Sequence, residues 1–289
     1  MGVPADAGEF RLSEPELPPP ERVIEIIRDA AAAVIMPRFR KLADGDVFEK
    51  APGDIVTAAD IEAENWLAEA LVDLVPESVA VGEEAAFADP GLLDVLADKA
   101  PVWLIDPVDG TQNFADGIAC FAVIVALCAD GRTLAGWIHD PCAGETAFAT
   151  AGGGAWLFDA AGRKRMRVAP SVTVSDMSGV LGGRLRDRLA LERRCAPENV
   201  PRKMVRLGCV GREYLDLAHG RLHFAQYGGR LKPWDHAAGV LIHAEAGGLD
   251  RLVGSGTAYA PRAGIIEDML RLAPDETAWR ALHAAFEPR

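Results

Sequence analysis

The sequence is poor in cysteine. Its five cysteines, at positions 120, 128, 142, 195 and 209, form no Cys-x-x-Cys pair and are odd in number. Neither a zinc ribbon nor a disulfide framework follows, and a reduced, cytoplasmic location is expected. Long apolar runs are also missing. The longest, residues 118–129, has twelve residues, against the roughly 20 that a membrane-spanning helix needs; it reads as a buried strand, and no membrane partner is expected. Positive charge is short: 30 Lys plus Arg face 43 Asp plus Glu, a net charge of −13 with a pI near 4.9. Such a surface repels a phosphate backbone, so nucleic acid is not an expected partner. The six histidines show no His-Glu-x-x-His spacing, and no Gly-x-Ser-x-Gly is present, which argues against a zinc hydrolase and a serine esterase. Gly152-Gly153-Gly154 lacks the Lys-Ser/Thr of a nucleotide-binding loop and reads as a tight strand connection.

What remains is an ordinary globular composition, 49% hydrophobic and 25% charged over 289 residues, enough for one large core or two joined ones. The first twenty residues carry five prolines and four acids and read as a solvated tail, with the fold expected to begin near Glu21. Apolar residues at three- and four-residue steps over 21–42 predict a helix bent near Pro37. A second helix is expected from Thr57 to Pro76, capped by Thr57 with Asp60 three residues on. Short apolar runs at 78–82 and 102–105 end in acids and predict buried strands with carboxylates at their ends. Residues 121–128 and 132–139 flank Ala129-Asp130-Gly131, a hairpin signal. Strands are also expected at 146–150 and 155–158. After the basic stretch 163–167, strands at 179–181, 203–206 and 222–227 alternate with helices at 184–194, 211–218 and 234–246. The fold class expected is α+β, in two subdomains, 21–160 and 161–289, after a tail over 1–20.

The segment Trp103-Leu104-Ile105-Asp106-Pro107-Val108-Asp109-Gly110-Thr111-Gln112-Asn113-Phe114 carries the most chemistry. Its apolar lead-in ends in two acids three apart, with the Val108 carbonyl between them, an oxygen-only set suited to a hard cation such as Mg²⁺. Gly110 and Thr111 then offer unhindered N–H groups for a phosphate, should a helix start there. Three further acidic motifs could complete such a site: Gly82-Glu83-Glu84 after a strand, Asp54-Ile55-Val56-Thr57-Ala58-Ala59-Asp60 at a helix start, and Trp234-Asp235-His236-Ala237-Ala238-Gly239 in the first turn of another helix. Each alone is compatible with capping or a solvated strand end.

Together and in this order, from about Glu21 onward, they resemble the inositol monophosphatase family of Mg²⁺-dependent, lithium-sensitive phosphatases. The resemblance implies a layered α/β/α/β/α sandwich of the inositol monophosphatase and fructose bisphosphatase type, and a homodimer. It implies two or three Mg²⁺ ions: Glu83, Asp106 and the Val108 carbonyl for the first, Asp106, Asp109 and Asp235 for the second, and Glu83 touching a third. Asp60 and Thr111 would orient the attacking water beside Glu83, and Gly110 and Thr111 would hold the phosphate. The implied activity is phosphomonoester hydrolysis by metal-activated water on a small polyol or sugar phosphate such as inositol 1-phosphate. Fructose 1,6-bisphosphate, histidinol phosphate and 3′-phosphoadenosine 5′-phosphate are alternative substrates, and a non-catalytic regulatory protein is the rival class. Family members that prefer inositol phosphate place a glutamate seven residues before the Trp-Asp aspartate; here that position is Gly228. Asp109, Gln226 or Tyr227, and Arg212 are the candidates for substrate contact, with Glu213 and Lys232 expected as solvated charges on the rim.

Overall fold

The structure, a computed structural model, describes residues 17–193 and 196–287. Most of the expected tail, residues 1–16, and Cys195 lie outside them. The chain opens with helix α1 (Pro20–Ala30), whose apolar stripe Val23, Ile24, Ile27 and Ala30 is buried. The single helix expected over 21–42 is shorter. A π turn (Ala31–Ile35) follows, closed by Met36 N–H donating to the Ala31 carbonyl at 2.8 Å, and Pro37, which has no N–H to give, sits in turns beyond it. A hairpin of β1 (Val47–Ala51) and β2 (Asp54–Thr57) then leads into α2 (Ala58–Leu74). At its start the Thr57 N–H donates to Asp60 at 2.9 Å, the reciprocal bond expected of an acid at that spacing.

Seven strands form the first sheet in the order β3 (Val79–Gly82), β4 (Val102–Asp109), β5 (Ala122–Ala129), β6 (Arg132–Asp140), β7 (Glu145–Thr150), β8 (Gly154–Asp159) and β9 (Gly162–Arg165). Only β3 and β4 are parallel. Short helices α3 (Glu83–Ala88) and α4 (Thr111–Ala115) follow β3 and β4. Residues 163–165 of the basic stretch pair with β8 as part of β9, and Arg163 and Arg165 lie over the Trp156 ring, 3.9 and 4.9 Å from its centroid. The second sheet has the order β11 (Lys203–Val205), β10 (Ser178–Leu181), β12 (Phe224–Tyr227), β14 (Leu270–Ala273) and β13 (Leu249–Leu252). Its first three strands are parallel, connected through α5 (Gly183–Glu192) and α6 (Val210–Ala218). Helix α7 (Pro233–Glu245) precedes β13, and α8 (Glu276–Phe286) ends the fold.

Three cores hold five layers together. Trp103, Ile105, Val108 and Trp137 of the first sheet pack against α1 and α2. The opposite face, with Leu104, Ile124 and Ile138, packs on Tyr214 of α6 and Ala237, Ala238 and Ile242 of α7. The second sheet covers the far side of α6 and α7 through Val180, Ala225 and Leu272. Its other face, with Leu181 and Phe224, packs on Leu189 of α5 and Trp279 and Leu282 of α8. The order is helices, sheet, helices, sheet, helices, the expected sandwich. Among the described residues, no helix is long and apolar enough to cross a membrane.

Candidate active site

Strand β4 is buried along its whole length, and it carries its two acids to one side by a break in register. Asp106 pairs with Ile124 and Asp109 with Ala122, three steps on β4 against two on β5. In a regular strand residues three apart face opposite sides; the extra residue of the bulge restores them to the same side. Ile105 and Val108 thereby face α2, while Asp106 and Asp109 face α6 and α7. Asp235, in the first turn of α7, reaches the same place because α7 sits tightly on β6. A Cβ added at Gly136 would stand 2.7 Å from the Ala238 Cα. Glu83 comes from the first residue of α3.

Oxygens of Glu83, Asp106 and Asp235 all lie within 4.8 Å of one another. Burial, then the charges of Glu83, Asp109 and Asp235, push the Asp106 carboxyl well above the ordinary aspartate value. Its Oδ1 is buried with no hydrogen-bond partner. Burial and Glu83 raise Asp235 in the same way. Three crowded carboxylates with an orphaned oxygen fit a divalent cation, and the all-oxygen donor set selects a hard one.

Asp109 is held apart from this trio. It accepts from Cys209 Sγ at 3.0 Å and from the N–H groups of Val210 and Gly211 at 3.1 and 2.5 Å, so it anchors the start of α6. Asp60 accepts from the Thr57 hydroxyl at 2.5 Å and the Thr111 hydroxyl at 3.1 Å, and burial raises it to about 6 against these bonds. The Val108 carbonyl lies 3.1 Å from the same Thr111 hydroxyl. Gly110, at φ 90° in the left-handed region, turns the chain from β4 into α4. A Cβ there would sit 3.1 Å from the Cys120 carbonyl oxygen and from Cys209 Cβ. Asp60, Thr111, Gly110 and Val108 are thus brought together, next to the carboxylates.

Some features were not legible in the sequence. Lys50, unremarked there, donates to Glu84 at 2.8 Å and lies 3.4 Å from Glu83. Lys232, expected on a solvated rim, is 2.9 Å from Glu83. Burial works to raise Glu83, but Lys232 and Lys50 outweigh it and hold the carboxyl below the usual glutamate value. Glu64, one turn beyond Asp60 on the buried side of α2, accepts the N–H groups of Glu84 and Ala85 at 2.8 and 2.9 Å. A Cβ at Gly82 would meet its carboxyl carbon at 2.0 Å, so glycine is required where the Glu64 side chain passes. The four-residue step from Asp60 was the only trace of it in the sequence.

A cavity of about 740 Å³ opens from Asp109 and Asp235 and runs between the ends of β10, β11 and β12. Gln226 lines it, donating to the Met269 sulfur at 3.5 Å and accepting from Arg271 Nε at 2.8 Å. Arg212 does not line it: its guanidinium pairs with Asp140 and lies 3.7 Å from Asp216. Glu213, expected to be solvated, is 3% exposed, accepts the Leu207 N–H at 2.8 Å and is raised by burial to about 7.

The family model of the inositol monophosphatase family matches residues 21–284. The chain belongs to the inositol monophosphatase family. It is therefore a phosphoric monoester hydrolase by family. It is 34% identical to an inositol-1-monophosphatase of Mycobacterium leprae, over 76% of this chain and 78% of that one. It is 30% identical to a fructose-1,6-bisphosphatase/inositol-1-monophosphatase of Thermotoga maritima, over 71% of this chain and 74% of its relative. A Vibrio cholerae protein named Nus factor SuhB is 31% identical over 75% and 79%. Among solved structures, the Thermotoga maritima inositol monophosphatase superposes with a TM-score of 0.72 at 25% identity, covering 91% of this chain and 94% of that one. The Staphylococcus aureus inositol monophosphatase II shares the fold with a TM-score of 0.73 at 22% identity, covering 93% and 95%.

Proposed function

We propose that this chain is a Mg²⁺-dependent phosphomonoesterase acting on a small polyol or sugar phosphate, as a cytoplasmic homodimer. The observation that carries the reading is the trio Glu83, Asp106 and Asp235 with the unpartnered Asp106 Oδ1, beside the Asp60 and Thr111 pair. Glu83, Asp106, Asp235, the Val108 carbonyl and, after release of an α6 donor, Asp109 would hold two or three ions. When bound, Mg²⁺ lowers the pKa of water and neutralises phosphoryl oxygens.

The chain's own residues do the rest. Asp60 fixes the Thr111 hydroxyl, and the pair positions a water for in-line attack. The Gly110 and Thr111 N–H groups hold the phosphate oxygens. Lys50 and Lys232 balance the Glu83 charge while no cation is bound, and Lys232 gives way when one binds. Residues 21–160 supply most of the ligands, and residues 161–289 supply Asp235 and the substrate wall. With Gly228 in the place of the hydroxyl-gripping glutamate, inositol 1-phosphate lacks a charged hydrogen bond. It is expected to be about tenfold to a hundredfold poorer as a substrate than a preferred ester.

Phosphate release from inositol 1-phosphate, fructose 1,6-bisphosphate, histidinol phosphate and 3′-phosphoadenosine 5′-phosphate, each with Mg²⁺ and with EDTA, tests the reading. Mg²⁺-dependent turnover of at least one ester is expected. Its absence across the whole panel would overturn the assignment in favour of a non-catalytic protein.

A further inference from the structure

The far wall of the cavity has a chemistry that the reading above does not use. Strands β11, β10 and β12 lie side by side and parallel, with Val180 paired to Val205 and Leu181 to Gln226, so their carboxyl ends are level. That edge of an open parallel sheet is where α/β folds place ligands. An arginine follows each strand within three residues: Arg184 after β10, Arg206 after β11 and Arg230 after β12. All three are exposed and line the cavity that begins at Asp109 and Asp235. None makes a hydrogen bond or an ion pair among the described residues, although Arg206 faces Glu213 electrostatically. Two arginines close by are engaged instead, Arg212 with Asp140 and Arg271 with Gln226. In a chain of net charge −13, three unpaired guanidinium groups in one cavity are a local reversal of the surface field.

The floor between them is open. Strand β10 runs into Gly182 and Gly183, and β12 into Gly228 and Gly229. A Cβ on Gly182, Gly183 or Gly229 would meet nothing within 4 Å, and on Gly228 only Met269 Cγ at 3.5 Å. Gly228 is also the position at which a glutamate would have set a carboxylate among the arginines. The acids that remain, Asp109, Asp235 and Glu213, stand at the inner end.

We infer that Arg184, Arg206 and Arg230 form a second anion subsite, and that the preferred ester has a leaving group carrying its own phosphate. This rests on the phosphatase reading above and narrows its substrate to a bisphosphate. Water adds across the ester: its oxygen joins the transferred phosphorus, the bond from phosphorus to the leaving oxygen breaks, and that oxygen takes a proton. The products are inorganic phosphate and a monophosphorylated alcohol, whose remaining phosphate the arginines grip in bidentate fashion.

Two paired comparisons with Mg²⁺ test this on the full chain: fructose 1,6-bisphosphate against fructose 1-phosphate, and adenosine 3′,5′-bisphosphate against adenosine 3′-monophosphate. At least one bisphosphate should be preferred about tenfold or more in kcat/KM. Arg206→Gln and Arg230→Gln should each raise its KM about tenfold while changing kcat and monoester kinetics less than about twofold, and Lys at either position should restore part of the loss. Calorimetry in EDTA reads the subsite without the metal: fructose 6-phosphate or adenosine 5′-monophosphate should bind the parent and lose affinity in the Arg184→Gln/Arg206→Gln/Arg230→Gln variant. Equal turnover of mono- and bisphosphates, unmoved by the arginine variants, would overturn the subsite and leave the phosphatase standing. Absence of turnover on every ester would strike the phosphatase reading itself. In that event unchanged metal-free binding in the triple variant still overturns the subsite, and weakened binding upholds it.

Discussion

The two sheets reach one cavity with opposite chemistry and opposite degrees of preparation. On the side of the first sheet, carboxylates are buried and locked. Asp60 is fixed by Thr57 and Thr111, Asp109 by the start of α6, and the turn bearing Glu83 by Glu64. On the side of the second sheet, the arginines are exposed and unpaired. A site for a reaction common to all phosphomonoesters needs fixed groups, because small displacements cost rate. A site that distinguishes one ester from another can be furnished by side chains on loops. The locked end is accordingly where we place the chemistry, and the open end where we place recognition.

If that division holds, Asp106→Asn should lower kcat more than a hundredfold for every ester alike, since even residues that only support a metal ligand are worth about ten- to a hundredfold. The same substitution removes a charge from a crowded, repelling group. The metal-free protein should melt higher than the parent in EDTA and gain little from added Mg²⁺. A loss confined to bisphosphates, or an unchanged Mg²⁺-induced shift in Tm, would break the comparison. Glu64→Ala should come next. It strips two N–H groups of their acceptor and frees the Glu83 turn, so activity should fall about ten- to a hundredfold and stability by about 1–3 kcal/mol. Retained activity in such a variant would show that the turn holds Glu83 without help.

Gly136→Ala tests how rigidly the second half of the chain is seated on the first. A Cβ at 2.7 Å from the Ala238 backbone cannot be accommodated without moving α7, so a loss of about 1–3 kcal/mol in urea unfolding is expected, with weaker Mg²⁺ binding through displaced Asp235. Lys232→Met removes a cation 2.9 Å from Glu83. Half-maximal thermal stabilisation should then need about threefold to tenfold less Mg²⁺. A higher requirement would mean that Lys232 helps to bind the ion rather than competing with it.

Glu213 stands at the border between the two ends. Its carboxyl titrates near 7 when folded against a usual 4.5, because burial disfavours its charge. The folded state therefore holds a proton that the unfolded state has released between these values, and the parent loses stability as pH rises through that window. Glu213→Gln has no such loss. The difference in Tm, variant minus parent, should grow from about pH 4.5 to about pH 7 and then level off. A difference that is constant with pH would place Glu213 in contact with solvent.

Much of this was legible in the residues. The apolar run 102–105 specified a buried strand leading into acids, and the structure carries that strand on to Asp109; Thr57 and Asp60 specified a helix start, and Pro233 with Gly247 bracketed α7. Local rules suffice there, because capping, periodicity and turn chemistry act over a few residues. Other features depended on partners distant in the chain. Nothing near Glu64 says that it will cap a helix 20 residues on, and Lys232 and Glu213 look like any surface charges until Glu83 pairs with the one and its neighbours bury the other. The sequence by itself determined which oxygens are available and in what order. Tertiary structure decided which of them meet. The bulge in β4 turned Asp106 and Asp109 to one face, α6 drew Asp109 away from the trio, and three parallel strands set Arg184, Arg206 and Arg230 around one cavity. An arginine just beyond a strand end has no local preference to betray its role. Its meaning comes only from strands that pair across tens of residues of chain, and that pairing is fixed by the packing of the sheets on α5, α6, α7 and α8.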